Sequence, residues 1–430
     1  MGKRIFYSSE IVDIIGPQCE MLGPVENGGI IMAKTEPACY GPMITPELRS
    51  GHTVTKPVAV EGAEIGDGIA MKIRKIQVLS RASASGTETP IEGRYVGIAS
   101  IGKKCPRCGI LNPETYLEGV GQEAVRCKSC GSEVNPFEVT CGYTLLLDDE
   151  GGVGVTVPKE VAEIIAEQAY DFGAIPPKGL THPALIMALA DMPPGIITRV
   201  RPMVGNIGTS PAVDLPSSFN AGDLVGRLVK APLDLAIEEE DITKRTDSHM
   251  DIDEVREGSI LIAPVKIDGG GVVVGDAHAM QGDGEIAGHT TDVSAEVTLE
   301  VEVIKNLGID GPILLPRRED LPHLARSLTE MELAGARRMA KKFGFELQEA
   351  IAPVQVVGSG VDLNAATANG LERMAELTGM NINEVRNRVT LTGGVEIGRL
   401  PGVVHITMLA PVTRMEELGI AHLVRQQYIE

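Results

Sequence analysis

The chain has 430 residues, and 59 acidic against 39 basic side chains leave a formal charge of -20 at neutral pH. Such a chain repels phosphate backbones, whose affinity for proteins comes from Lys and Arg contacts and counterion release, so nucleic acid is excluded as a partner. Aromatic residues make up 3% with no Trp, while glycine occurs 50 times, which predicts a β-rich fold of aliphatic strands joined by tight turns.

No apolar run is long enough to cross a bilayer, and Met1-Gly2-Lys3-Arg4 leads into polar residues rather than a signal-peptide core, so the expected setting is cytoplasmic, with no membrane partner. Residues 1–100 are expected to form an N-terminal β unit. Within it, Pro57-Val58-Ala59-Val60 with Gly66-Asp67-Gly68-Ile69-Ala70-Met71 echoes Pro264-Val265-Lys266-Ile267 with Gly275-Asp276-Ala277-His278-Ala279-Met280. Two related strand-turn-strand units explain the echo, and so does the recurrence of glycine-aspartate turns in any β-rich chain. Ile69 stands where His278 stands, so the first copy reads as scaffold and the second as site.

Residues 101–140 read as an insertion. Cys105-Pro106-Arg107-Cys108-Gly109 and Cys127-Lys128-Ser129-Cys130-Gly131 form two knuckles with 18 residues between them, the spacing of a zinc ribbon. Each Cys-x-x-Cys turn offers two thiolates to one ion, and structural Zn2+ is expected, with rubredoxin-like iron the alternative. Four Cys ligands close the coordination sphere and leave no position for water, so the role is structural. Cys19, Cys39 and Cys141 lack such spacing and read as small buried hydrophobes.

Residues 141–315 are expected to be a β-rich core carrying the active site, covered by helices over 158–171 and 183–191. Ser217-Ser218 precedes Phe219-Asn220 rather than the glycine-rich setting of a serine amidase, so it reads as a turn. Asp247, His249, Asp251 and Asp253 alternate with Ser248, Met250 and Ile252, and in a strand all four would share one face. Gly275 to Glu285 then follows the apolar run Val272-Val273-Val274. Asp276 and His278 share a strand face there, and Gly282 and Gly284 permit a turn that lets Asp283 and Glu285 swing back toward His278. Crowded carboxylates repel unless a cation or shared protons relieve them, so the two polar strings point to one joint site.

Residues 316–430 are expected to form a C-terminal α/β unit with helices over 321–342, 365–377 and 383–388. Asn381 with Glu384 resembles a capping box. Val403, His405 and Thr407 alternate as in a strand, so His405 reads as a sheet residue rather than a ligand.

Gly275 to Glu285, followed by Ile286-Ala287-Gly288, resembles the signature region of the acetamidase/formamidase family of amide hydrolases. The resemblance extends through Met250-Asp251-Ile252, Gly258-Ser259-Ile260-Leu261, Pro264-Val265 and Gly205-Asn206-Ile207-Gly208-Thr209-Ser210-Pro211, and covers most of residues 45–315. After the signature, His289-Thr290-Thr291-Asp292 departs from the family's small residue, Ala, Ile and Glu. Substrate identity is therefore open, and the shorter Asp292 is expected to withdraw a carboxylate from where a Glu reaches. The resemblance implies a β-sandwich or jelly-roll-like core with a smaller α/β element, a homo-oligomer, and hydrolysis of short linear amides to ammonia and a carboxylate.

The expected centre is a divalent cation held by Asp251, Asp276, His278 and Glu285 that activates water. Glu285 or Asp283 is the base that takes the proton and returns it to the departing amine, and His249, Gln281 and His289 are substrate-pocket candidates. The mixed donor set suits Zn2+ first, with Mn2+ or Ca2+ as alternatives. A non-enzymatic binding or assembly protein with a structural ion is the competing reading, and ammonia release from small amides separates the two.

Overall fold

Strict alternation builds the longest-range strand of the core. In Ala295–Ile304, Ala295, Val297, Leu299 and Val301 turn inward and are fully buried, while Glu296, Thr298, Glu300 and Glu302 keep partial contact with solvent. Each large aliphatic side chain removed from water this way contributes about 1.5–3 kcal/mol. The computed structural model describes residues 5–429 apart from 149, 151, 177, 223–238 and 349. In it this strand is third in a nine-stranded sheet ordered Ile5–Ser8, Ile30–Lys34, Ala295–Ile304, Gly68–Val78, Ile260–Pro264, Ile313–Leu315, Ile351–Ser359, Val403–Pro411, Gly394–Arg399. The first pair is parallel and every later pair antiparallel.

A smaller sheet of Met203–Gly208, Val273–His278, Val54–Thr55 and Ile11–Val12 carries much of the polar cluster described below. Its Val204, Ile207, Val274 and Ala277 share one buried core with Ile31, Ile69, Met71, Val297 and Leu299 of the large sheet. The strand bearing Asp276 and His278 is thus backed by aliphatic packing, which fixes where its polar side chains point. The two echoing segments cross-pair: Gly68 lies opposite Pro264, and Val58 bridges Val272.

The large sheet also runs through the C-terminal residues, because Ile313–Leu315 pairs on one edge with Ile260–Pro264 and on the other with Ile351–Ser359. Helix Leu363–Thr378 covers this part, packing Met374 and Leu377 with Val356 and Ile406. The helix expected from 321 begins instead at Glu330, after a 3-10 turn at His323–Ala325, because Thr329 and Glu332 form a reciprocal capping box there. Asn381 caps helix Ile382–Thr392 through the Asn383 N–H. Glu384 pairs with Arg388 at 2.9 Å rather than closing a box. Residues 158–171 give the helices Lys159–Glu167 and Ala169–Phe172, whereas 183–191 yields only a 3-10 turn at Ala184–Met187. Among the described residues no helix is long and apolar enough to cross a membrane.

Candidate active site

Three carboxylate residues of the site sit in the left-handed backbone region: Asp251 (φ 49°), Asp276 (φ 54°) and Glu285 (φ 41°). That conformation costs a non-glycine residue on the order of 1–3 kcal/mol and persists where the surroundings impose it. Segment 247–253 is not the strand its alternation predicts. One bridge, from Asn206 to His249, ties it to the sheet, and the N–H groups of Met250 and Asp251 both donate to the Gly205 carbonyl. Positive φ at Asp247 and Asp251 then sends the four polar side chains to different places. Asp247 turns to Arg373 and Ser359, Asp253 turns to Arg201, and only His249 and Asp251 enter the cluster.

Two histidines have their tautomers set by oxygen acceptors. His249 Nδ1 donates to the Ser218 carbonyl at 2.8 Å, so its Nε2 faces Asp251 Oδ2 at 2.9 Å and Asp276 Oδ2 at 3.7 Å. His278 Nδ1 donates to Gln281 Oε1 at 2.9 Å, an amide orientation fixed because Gln281 Nε2 donates to the Asp251 carbonyl at 2.6 Å. Its Nε2 faces Asp276 Oδ1 at 3.0 Å and Asp292 Oδ1 at 3.3 Å. A neutral ring with its proton on Nδ1 points a lone pair at these carboxylates, which is acceptor against acceptor. A second proton or a cation removes that clash.

His52 Nε2 completes the cluster at 3.5 Å from Asp276 Oδ2 and 3.1 Å from Cys39 Sγ. Donor atoms of His52, His249 and Asp276 lie within 4.8 Å of one another, as do those of Asp251, His278 and Glu285, and those of Cys39, Asp276, His278 and Asp292. Asp276 Oδ2, Glu285 Oε1 and Asp292 Oδ2 are buried with no hydrogen-bond partner among the described residues. Gly205 makes room for this, since a Cβ there would stand 2.1 Å from Asp251 Oδ1 and 2.8 Å from Asp276 Oδ2.

The charges divide unevenly. Burial, then the neighbouring Asp251, pushes the Glu285 carboxyl well above the usual range, and burial raises Asp276 to about 6 against the pull of His278. Burial also opposes the charge of Asp251, but His249 and Arg399 outweigh it and hold this carboxyl low; Arg399 Nε lies 2.7 Å from Asp251 Oδ2. His278 is raised because Asp276 and Asp292 overcome its burial, whereas burial and then His249 keep His52 neutral.

The structure thus gathers Asp251, Asp276, His278, Glu285 and His249, with Gln281 bridging two of them. Asp283 is exposed and hydrogen-bonds with Asp253, apart from His278. His289 stands 3.3 Å from Glu88 and packs its ring tilted against Tyr40, centroids 4.7 Å apart, beside the cluster rather than in it. Asp292 reaches His278 because backbone bridging places the two residues opposite each other. Cys39, His52 and Arg399 carried no local motif and were invisible in the sequence, and Gly205 was read only as part of a family segment. Ser217 and Ser218 form the expected turn, buried, and their work is support: Ser217 Oγ donates to the His52 carbonyl at 3.0 Å and Ser218 supplies the acceptor for His249.

In the cysteine insertion, hairpin Thr115–Leu117 and Val125–Cys127 brings the knuckles together. Cys105 Sγ is 3.5 Å from Cys130 Sγ and Cys108 Sγ is 3.9 Å from Cys127 Sγ. Disulfides of about 2.05 Å are excluded by that spacing. It matches the roughly 3.8 Å edges of a tetrahedron with metal–sulfur bonds of about 2.3 Å. Gly109 (φ 76°) and Gly131 (φ 72°) adopt the left-handed turn each knuckle requires. Burial raises the Cys105 thiol, but the Cys108 N–H and the Ser132 hydroxyl outweigh it and bring it down to about 6.

Comparison with known proteins identifies the family and the fold. The profile of the Acetamidase/Formamidase family matches residues 34–413. No curated protein sequence is significantly similar. Among solved structures, a predicted acetamidase/formamidase from Thermoanaerobacter tengcongensis is similar at 17% identity and TM-score 0.55, covering 97% of this chain and 99% of that one. An acetamidase from Yersinia enterocolitica is similar at 16% identity and TM-score 0.54, covering 97% and 94%. An acetamidase from Bacillus halodurans follows at 17% and TM-score 0.51, covering 96% and 100%. These likenesses are in fold. The family match over most of the chain shows more: this protein belongs to the acetamidase/formamidase family, whose members are hydrolases acting on amide C–N bonds.

Proposed function

We infer that the buried cluster holds a divalent cation, Zn2+ first, and hydrolyses short linear amides with release of ammonia. The observation that carries this reading is the pair of histidines whose Nδ1 protons are spent on oxygen acceptors while each Nε2 faces two carboxylate oxygens. His52, His249 and Asp276 would hold the ion with Asp251 beside them, two imidazoles and a carboxylate suiting a three-ligand zinc site, and Asp251, His278 and Glu285 form the neighbouring donor group. When bound, such a cation supplies Lewis acidity toward the amide carbonyl and a lowered pKa for water.

The chain's own groups supply the rest. Glu285 Oε1, unsatisfied and buried, would in its ionised form, favoured by a cation beside it, take the proton from the attacking water and return it to the amine as the C–N bond breaks. His249 and Arg399 keep Asp251 ionised, and Ser218 and Gln281 hold His249 and His278 in the tautomers that present Nε2. Gln281 also lines a cavity of about 240 Å³ with Leu145, Met192, Ile196 and Met280, which gives an acyl chain an apolar wall beside the polar cluster.

Further parts of the reading are a β-sandwich-like core, supported by the aliphatic packing shared between the two sheets, Zn2+ in the cysteine insertion, a cytoplasmic location and a homo-oligomer. The unit boundaries at 100, 140 and 315 belong with it. The test is ammonia release from formamide, acetamide, propionamide and urea by metal-analysed and chelator-stripped protein. Turnover restored by Zn2+, with more than one ion per chain, supports the proposal. Equal turnover by stripped and loaded protein overturns the metal, and no turnover of any amide overturns the substrate.

A further inference from the structure

A second cluster shares no residue with the site above. Strand Val403–Pro411 sets His405 directly across from Glu396 of strand Gly394–Arg399, so both side chains project to one face of the sheet edge. Glu254, from the loop that carries Asp251, reaches the same ring. Glu254 Oε2 lies 3.6 Å from His405 Nε2, and Glu396 Oε2 lies 3.9 Å from Nδ1. Both gaps exceed hydrogen-bond length. His405 is 2% exposed and Glu254 7% exposed, yet His405 Nδ1, Glu254 Oε2 and Glu396 Oε2 have no hydrogen-bond partner among the described residues.

Three buried polar atoms that converge unpaired cost stability unless something they can bind sits among them. One donor atom from each residue falls within 4.8 Å of the other two. Ligands bonded at about 2.1 Å to one cation stand roughly 3–4 Å apart; Glu254 stands at that spacing from Nε2 and Glu396 from Nδ1, so one ion takes a single ring nitrogen and the other carboxylate rotates toward it. We propose that Glu254, Glu396 and His405 form a further cation site, taking a first-row divalent ion such as Zn2+ or Mn2+, which ties the last strand of the large sheet to the Asp251 loop.

Asp283 and Asp253 add negative charge at the rim, while Arg201 is committed to Asp253 and Asp320. Burial, then Asp253, pushes Glu254 up to about 10, so without an ion this carboxyl holds a proton that a cation would displace; burial, then Asp283, pushes Glu396 up to about 7, and burial brings His405 down to about 4, so its ring is neutral with a lone pair to give. Placement gives the site a purpose. Asp251 and Glu254 lie on one short loop, Glu396 and Arg399 on one short strand, and Arg399 grips Asp251 at 2.7 Å. An ion at the outer pair therefore sets the spacing of the inner pair.

The test is metal content and binding of added Zn2+ or Mn2+, by elemental analysis and calorimetry, on the full chain and on Glu396→Gln, His405→Gln, Asp276→Asn and Asp276→Asn/Glu396→Gln. Glu396 is partly exposed on an edge strand, so its amide variant keeps the fold even where His405→Gln does not. The proposal expects Glu396→Gln to bind one equivalent fewer than the parent, and the double variant one fewer than Asp276→Asn. Equal stoichiometry in parent and Glu396→Gln overturns it. The Asp276→Asn baseline keeps that outcome separate from failure of the active-site reading.

Discussion

Substituting Ala for Gly205 probes the cluster without removing any of its chemistry. Gly205 lies between Val204 and Asn206, which pair with Ala277 and Gly275, and its φ is not in the left-handed region, so the backbone accepts Ala. The new methyl would meet Asp251 Oδ1 at 2.1 Å, against an ordinary contact of 3.4 Å, so the carboxylate must withdraw by about 1.3 Å. It has no free direction to go: Arg399 holds it at 2.7 Å, His249 at 2.9 Å, and Asp276 Oδ2 crowds the same methyl at 2.8 Å. Overpacking of this size costs about 1–3 kcal/mol of stability, tolerable for a chain of this length. A displacement near 1 Å at a reacting centre costs about 100-fold in rate. The expected result for Gly205→Ala is a folded protein with kcat/KM for its best amide reduced about 100-fold or more, and with less bound metal. Measuring ammonia release, metal content and Tm side by side decides it. Full turnover with full metal in Gly205→Ala would falsify the placement of the reaction at Asp251 and Asp276.

Glu285→Gln keeps the shape of the side chain but cannot carry a proton; turnover should fall by about 100- to 10,000-fold while Tm holds or rises, since a carboxyl that resists ionisation is gone. Residual turnover above a tenth of the parent would pass the base role to another group. Asp247 is buried, yet Arg245 and Arg373 overcome that burial and lower it to about 2. Its folded pKa lies below the unfolded value, so the stabilisation is present above about pH 4 and is lost as pH falls toward 2, an effect of about 2–3 kcal/mol. Denaturant unfolding of Asp247→Asn should therefore show a deficit at pH 7 that narrows below pH 4, and a pH-independent deficit would contradict the ion-pair account. Cys108→Ser should lose one metal equivalent and open residues 105–131 to protease. Amide turnover per folded chain should stay within about threefold, because a four-cysteine site has no position for substrate. A collapse of kcat in folded Cys108→Ser would make the insertion part of the chemistry.

What the sequence disclosed depended on distance along the chain. Asp276, His278 and Glu285 were legible because one strand and one glycine turn bring them together within ten residues. The cysteine knuckles were legible for the same reason. Alternation misled at 247–253, where period two implied a strand, because left-handed backbone at Asp247 and Asp251 breaks the common face. His52 and Cys39 were hidden since nothing local marks them: they arrive beside Asp276 only through tertiary packing around the short strand Val54–Thr55. Arg399 was the least visible, lying after three helices in a stretch whose pattern is that of an ordinary edge strand.

Arg399 also fixes when the centre can exist. The ribosome releases Asp251 long before Arg399, and at synthesis rates of about 5–20 residues per second the interval between them is about 7–30 s. During that time Asp251 lacks the guanidinium that pairs with it, and strand Gly394–Arg399 has not yet closed the edge of the sheet. A nascent chain already holding Cys39, His52, His249, Asp276, His278 and Glu285 is therefore unfinished chemistry. Competence arrives late in translation, with the strand that delivers one arginine.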